Sequence, residues 1–246
     1  MKPLSQRILD PFGLSRRDSR AELMDDPSCD TKRLIRTVRQ FALINVLFSR
    51  SLHLATRHLI PRGVDKPERP LSVLDIGAGG GDFARHLARW AQRHGLSLEI
   101  TCIDLDSRIA DYAREKSNGY RNITIEQGDL WSAAVAKRRF DCVFANHFLH
   151  HIPDPSIPAV LSLLNALAQR KLLINDIRRS PLTYAGFALF SRLFLHTSFA
   201  AGDGLLSIRK GFSKSELTGH IAQAGLSDTL TVRTVFPGRL IVYKSN

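Results

Sequence analysis

Two periodicities alternate along this chain. Over residues 31–60, "TKRLIRTVRQFALINVLFSRSLHLATRHLI", Leu34, Ile35, Val38, Phe41, Ala42 and Leu43 recur at helical spacing, which predicts amphipathic helices. "PRGVDKPERP" at 61–70 breaks that pattern and delivers the chain to a first strand. From there short apolar runs and helical repeats take turns. The pattern predicts strands at 71–76, 98–103, 122–127, 140–145 and 170–175, and helices at 82–94, 107–117 and 156–168. Strand and helix in alternation imply a parallel sheet covered by helices on both faces. After an interruption at 180–210 come a helix at 213–224 and strands at 229–236 and 239–244, whose "PGR" connection predicts an antiparallel hairpin. The expected organisation is a helical cap over residues 1–69 and an α/β core over 70–246, with a lid inserted at about 180–210.

Composition narrows the class. With 246 residues, 43% hydrophobic and 24% charged, the chain can bury a full core and reads as globular. It contains no integral membrane segment, since no run of about 18 uncharged apolar residues occurs. The start, "MKPLSQRILDPFG", lacks the apolar core of a signal peptide, so a cytoplasmic protein is expected. Cys29, Cys102 and Cys142 have no metal or redox spacing and read as core residues. The net charge of +12 raises a nucleic-acid partner. Its basic residues are scattered in short pairs such as Arg16-Arg17, Arg138-Arg139 and Arg178-Arg179, which argues against one and for an arginine-rich solvated surface.

Chemistry enters with "LSVLDIGAGGGDFARHL" (71–87), where glycines crowd between a predicted strand and a predicted helix. Such a turn lets a ligand approach the backbone and the free N–H groups of the helix start. A phosphate-gripping loop would need Lys and Ser/Thr after its last glycine, but Asp82-Phe83 follows Gly81. A dinucleotide fingerprint would carry its last glycine where Asp82 stands. The string Asp75-Ile-Gly77-Ala78-Gly79-Gly-Gly81 instead resembles the first motif of class I S-adenosylmethionine-dependent methyltransferases, and further motifs follow in the same order. "EITCIDLD" ends in Asp104 with Leu105 beside it, "ITIEQGDLW" supplies Asp129, Leu130 and Trp131, and "FDCVFANHFLHHIPD" carries the fourth strand through Asn146.

The resemblance covers residues 71–155 and the terminal hairpin. It implies a Rossmann-like doubly wound sheet of seven strands and S-adenosylmethionine as cofactor. It also implies binding roles for Asp75, Gly77, Ala78, Gly79, Gly81, Asp104, Leu105, Asp129, Leu130 and Asn146. Asp104 would hold the ribose hydroxyls and Asp129 the adenine side, and Asp75 would organise the glycine loop or meet the methionine amino group. An ionised carboxylate suits a diol because it accepts two charge-assisted hydrogen bonds; these roles are favoured over the alternative in which Asp104 and Asp129 are helix caps or turn residues.

Methyl transfer depends chiefly on positioning, and a base is needed only for a protonated acceptor. His147, His150 and His151 all follow the fourth strand and are the candidates, with His147 and His150 favoured over His151. No Cys or Glu stands nearby in sequence to complete a metal set with them, so no metal is expected. Asp176 and Arg178 in "LLINDIRRS" lie at the carboxyl edge of the fifth strand and could serve the acceptor, or be a cap and a surface arginine. The apolar run 185–195 needs a cover: the N-terminal helices, a greasy substrate, a second subunit in a homodimer, or a membrane surface. "DGLLSIRKGF" after it is expected to be a polar hinge.

As a whole the chain is similar to the small-molecule branch of the family, the ubiquinone-biosynthesis-type enzymes and those acting on polyketide phenols. His147-Phe148 after Asn146 departs from the Asn/Asp-Pro-Pro-aromatic motif of relatives that methylate planar nitrogens. The resemblance therefore implies O-methylation of a small hydrophobic, phenolic or polyketide-like acceptor with a histidine base. C-methylation of a quinol-like ring, RNA methylation and a non-catalytic scaffold are the alternatives.

Overall fold

The computed structural model describes residues 10, 12–60, 69–132 and 137–244. Residues 61–68 of the expected linker at 61–70, and most of the N-terminal stretch expected to lack a signal peptide, lie outside the described residues.

Seven strands form one sheet: β1 (Leu71–Ile76), β2 (Leu98–Asp104), β3 (Ile123–Gln127), β4 (Phe140–Asn146), β5 (Ala168–Ile177), β6 (Leu230–Val235) and β7 (Arg239–Lys244). Their order is β3-β2-β1-β4-β5-β7-β6. The first five pair in parallel, while β7 runs antiparallel to both β5 and β6. This is the expected doubly wound sheet with its terminal hairpin.

Alternation along each strand builds two cores. Leu74 and Ile76 of β1 face a cluster with Val160, Leu161 and Leu164, whereas Leu71 and Val73 face another with Leu54, Phe83 and Leu87. The helices supplying those residues are α2 (Ser51–His58), α3 (Asp82–Arg93) and α5 (Ile157–Leu167). Two more, α4 (Ser107–Ser117) and α8 (Lys214–Gln223), complete the layers, the latter fixed by a capping box between Ser213 and Glu216. Cys102 and Cys142 are buried core residues as expected; Cys29 is only half-buried, packed on a small satellite cluster of Leu34, Val38 and Ile109.

The cap begins with α1 (Thr31–Ile44), started by the Asp30 side chain accepting from the Arg33 N–H at 2.7 Å. A π-helical turn, Asn45–Ser49, and Arg50 in the left-handed region separate it from α2. The insertion expected to be a lid folds as two helices, α6 (Pro181–Phe194) and α7 (Ala200–Lys210). "DGLLSIRKGF" is therefore not a hinge but most of α7. Its polar residues are buried because an N-terminal strap crosses them: the Asp203 carboxylate accepts from the backbone N–H of Leu23 (2.9 Å) and Met24 (3.0 Å). Ser207 bonds Glu22 at 2.9 Å. Arg17 of the same strap donates to the carbonyls of Lys210 (2.7 Å) and His150 (3.0 Å), with its guanidinium over the Phe212 ring. Gly204 lets α6 approach α7, since a Cβ there would lie 2.3 Å from the Phe187 ring.

Candidate active site

Strand order reverses between β1 and β4, and a ligand crevice of an open α/β sheet lies at the carboxyl ends of such strands. A cavity of about 1260 Å³ opens there. Single-ligand pockets run to roughly 1,000 Å³, so this one has room for two ligands. One end is walled by the β1–α3 glycine loop and the tips of β2 and β3. The other is walled by the histidine loop after β4, by α6, α7 and the strap, and by the β6–β7 turn.

The glycine end is acidic. Gly77, Gly79 and Gly81 adopt positive φ, so the loop's shape alone demands glycine at these positions. Gly80 is different: a Cβ there would meet Val38 of α1 at 2.9 Å, so close packing of the cap excludes a side chain. Behind the loop, Asp75 is buried and its Oδ2 has no hydrogen-bond partner among the described residues. Burial pushes its carboxyl well above the usual range, and the Asp82 and Asp104 carboxylates add to the shift. Asp104 accepts from the Gly79 N–H at 2.8 Å and the Asp106 N–H at 3.2 Å, yet burial still raises its pKa, as it does for Asp82. Three acids thus gather where, among the described residues, no lysine or arginine acts on Asp75, which fits a cationic ligand carrying ammonium and sulfonium groups.

The histidine end is saturated with partners. His150 is buried, and its Nδ1 lies 2.7 Å from Asp176 Oδ1 on β5. Asp176 is fully buried and also accepts from the backbone N–H groups of His150 (3.2 Å) and Ile177 (2.6 Å). Although burial opposes it, charge and hydrogen bonding from His150 hold this carboxyl far below its ordinary pKa. An ionised carboxylate can only accept, so Nδ1 carries the imidazole proton and Nε2 keeps its lone pair. That Nε2 is buried, without a hydrogen-bond partner among the described residues, and its side chain lines the cavity. Burial outweighs Asp176 and lowers the His150 pKa.

His147 is arranged differently. It sits in the left-handed region at φ 52°, and Arg239 Nη1 lies 3.0 Å from its Nε2. Burial, together with the guanidinium, pushes its pKa well below the ordinary value, so the ring is neutral and its accepting nitrogen is already occupied. Arg239 itself is buried; burial lowers its pKa to about 10, and it donates to Asn175 Oδ1 (3.0 Å), Asn175 O (2.8 Å) and Asn146 Oδ1 (3.3 Å). His151 is half-buried with Nδ1 3.2 Å from Asp25 Oδ2; the Asp25 hydrogen bond and the Glu22 charge overcome burial and raise its pKa.

Of the other residues picked out in sequence, Ala78, Leu105, Asp129, Leu130, Asn146 and Arg178 line the cavity with Asp75, Gly77, Gly79, Asp104 and the three histidines. Leu105, Asp129 and Arg178 are exposed at its mouth, and Leu130 is buried. Gly81 and Asp176 do not line it: Gly81 starts α3, and Asp176 acts from behind His150. Sequence reading missed Glu22, Asp25, Lys210 and Arg239, which lie far from the motifs and carry no signal of their own. The strap also supplies the acid that sequence proximity did not offer the histidines: Glu22, His150 and His151 place donor atoms within 4.8 Å of one another. The Lys210 ammonium, 3.2 Å from Glu22 and 3.5 Å from His151 Nδ1, supplies positive charge at that point.

Residues 73–170 match a family model described as "Methyltransferase domain". The chain is 30% identical over 134 residues to a ubiquinone biosynthesis O-methyltransferase of Alkalilimnicola ehrlichii, covering 50% of this chain and 48% of that one. It is 26% identical over 140 residues to a ubiquinone/menaquinone biosynthesis C-methyltransferase of Bradyrhizobium diazoefficiens, covering 53% and 54%. The chain thus spans about half the length of the curated relatives it matches. Among solved structures, a SAM-dependent methyltransferase from Aquifex aeolicus superposes with a TM-score of 0.58 at 18% identity, over 88% of this chain and 98% of that one; this likeness is one of fold.

Proposed function

From the match of residues 73–170 to a methyltransferase-domain family model, we propose that the chain is a class I S-adenosylmethionine-dependent methyltransferase that methylates a hydroxyl of a small hydrophobic, phenolic acceptor, with His150 as general base. When bound, S-adenosylmethionine supplies the methyl group on a sulfonium that leaves as a neutral thioether. Asp75, Gly77, Ala78, Gly79 and Asp104 would hold it, with Leu105, Asp129, Leu130 and Asn146 completing that end of the cavity and Gly81 setting the start of α3.

The observation that carries the base assignment is the unpartnered Nε2 of His150, with its Nδ1 fixed by Asp176. Asp176 holds the tautomer, and Nε2 takes the hydroxyl proton as the oxygen–methyl bond forms. A phenol of pKa about 10 is within reach of an imidazole that is neutral at pH 7. His147 is a weaker candidate, since its accepting nitrogen faces Arg239. It positions the acceptor side of the cavity with Arg239, and Arg178 stands at the rim. Phe41, Phe48 and Phe187 exclude water from the reacting oxygen. The ubiquinone-pathway O-methyltransferases among the relatives favour oxygen as the acceptor atom. The C-methyltransferase relative keeps carbon as the second reading.

The test is calorimetric titration with S-adenosylmethionine, followed by a methyl-transfer screen against phenols, quinols and RNA. Turnover on a phenol that falls about 100-fold or more in His150→Ala, with cofactor affinity unchanged, is expected. A full rate in that variant would remove the base, and product methylated on ring carbon would replace the O-methyl reading.

A further inference from the structure

The cap and the lid leave one surface out of keeping with the rest of the molecule. Twelve large apolar side chains are prominently exposed among the described residues, and eight of them belong to three neighbouring elements. Leu43, Val46 and Leu47 lie on α1 and the π turn, Leu182, Leu189, Leu193 and Phe194 on α6, and Phe236 on the β6–β7 turn; each is more than half exposed. These elements touch. Phe48 packs edge-on against Phe190 at 5.0 Å, Gln40 Nε2 reaches the His196 carbonyl at 3.2 Å, and Arg36 Nη1 reaches the Thr197 carbonyl at 2.9 Å. So the C-terminal half of α1 and the π turn pack against α6 and the segment 195–197 that follows it. At the other end Arg50 Nη1 reaches the Phe236 carbonyl at 3.3 Å, and Gly238 sits against Thr183. The apolar residues are concentrated on elements that touch one another, a strip rather than scattered single positions, and such a concentration marks an interaction surface.

Its charge is one-sided. No Asp or Glu occurs between residues 31 and 60, whose exposed residues include Lys32, Arg36, Arg39 and Arg50, nor between 177 and 202, where Arg178 and Arg192 are exposed while the Arg179 side chain is buried in an ion pair with Glu216. On α1 the exposed face reads Lys32, Arg36, Arg39, then Leu43, Val46, Leu47, then Arg50, an apolar centre with basic shoulders. On α6 Arg192 stands between Leu189 and Leu193 on the exposed side. An apolar helical face flanked by arginine suits the headgroup layer of an anionic bilayer. A second copy of the chain fits less well, because a two-fold contact would set these arginines against themselves.

The strip is also the outer side of the cavity wall. Thr183, Gly186 and Phe187 of α6 line the cavity, and Leu182 and Phe236 are shared between its mouth and the strip. No helix among the described residues is long and apolar enough to cross a membrane, so contact through this face would be peripheral. We propose that the α1–α6 strip docks on an anionic lipid surface and sets the mouth of the cavity against it, so that a lipophilic acceptor enters from the bilayer. The docking stands on the surface itself; the entry of the acceptor rests on the function proposed above.

The experiment is vesicle sedimentation of the full chain. Partition onto phosphatidylglycerol vesicles is expected to exceed that onto phosphatidylcholine about tenfold and to weaken between about 50 and 500 mM salt. The double variant Leu189→Glu, Leu193→Glu, altered at two exposed positions outside the cavity wall, is expected to lose partition about tenfold or more. Its S-adenosylmethionine affinity should match the unaltered chain, which also verifies its fold. Equal partition onto both lipids, or undiminished partition of the variant, would overturn the proposal. So would a dimer in light scattering that the variant converts to monomer, with no vesicle binding in either. Rates on a short-chain, water-soluble phenol separate the two readings: equal rates support docking without a catalytic defect, whereas vesicle binding with no turnover on any phenol would leave the docking standing and defeat the acceptor.

Discussion

Asp75 on β1 and Asp176 on β5 are both buried carboxyls at the carboxyl edge of one sheet, two strands apart, and their acidities are driven in opposite directions. Burial penalises the charge of each. Asp176 is offset by the His150 ring and two backbone N–H groups, and it stays ionised. Asp75 has one oxygen without a partner among the described residues and two further carboxylates near it, and burial raises its pKa well above the usual range. The difference teaches how the two ends of the cavity work. The histidine end is already satisfied, whereas the glycine end is electrostatically incomplete. In the function proposed above, Asp176 would act through the position of a base and Asp75 through a charge acquired on binding the cationic cofactor.

The comparison breaks most sharply at Asp176. In Asp176→Asn the amide N–H₂ can face His150 Nδ1, which moves the ring proton to Nε2 and removes the base. Turnover on a phenolic acceptor is expected to fall about 10²–10⁴-fold while cofactor affinity holds. Steady-state rates beside calorimetry decide it, and a loss of affinity as large as the loss of rate would mean that Asp176 supports the whole cavity.

At the other end the effect is smaller and falls on binding. Asp75→Asn is expected to weaken S-adenosylmethionine binding by about 1.5–3 kcal/mol, the cost of losing a charge-assisted partner, with turnover at saturating cofactor little changed. A cation favours the ionised form of a carboxyl whose free pKa is raised, so binding to the unaltered chain should release a proton and tighten as pH rises. Without ligand the sign reverses for stability: the protonated Asp75 favours the folded state below its unfolded pKa of 3.8, and that contribution fades as pH rises through the raised folded value. Calorimetry in two buffers of different ionisation enthalpy counts the proton, and an affinity flat in pH would remove this role.

The finest test concerns Glu22, whose Oε1 lies 3.8 Å from His150 Nε2. The base must be neutral, and its pKa is lowered, so the acid limb of the rate profile should lie below about pH 6.5. Glu22→Gln removes an anion that stabilises the imidazolium, so the limb should move further down and the rate fall about threefold to tenfold. A limb that stays in place would leave Glu22 as a structural tie between the strap and Lys210 and Ser207.

Much of this was legible in the sequence because it is local. The succession of strands and the glycine loop follow from spacing, the acids at the tips of β2 and β3 were singled out by the family resemblance, and placing them on strand ends of a doubly wound sheet brings them together. The reading failed where a segment's environment comes from far away. "DGLLSIRKGF" looked like a hinge because Asp203 and Ser207 are polar, and it is a helix because the strap at Glu22–Met24 satisfies both. The three histidines were legible as a group, and His147 and His150 could be set ahead of His151 but not told apart, since their partners, Asp176, Arg239 and Asp25, sit about 26, 92 and 126 residues away along the chain.

By itself, then, the sequence determined the sheet, its terminal hairpin and the cofactor end, because hydrophobic period and turn chemistry act between residues near in the chain. The tertiary structure decided which histidine keeps a lone pair, which carboxyl has its pKa raised, and which face of α6 stays uncovered. Those outcomes depend on desolvation and on hydrogen-bond partners, and both are set by packing between distant segments.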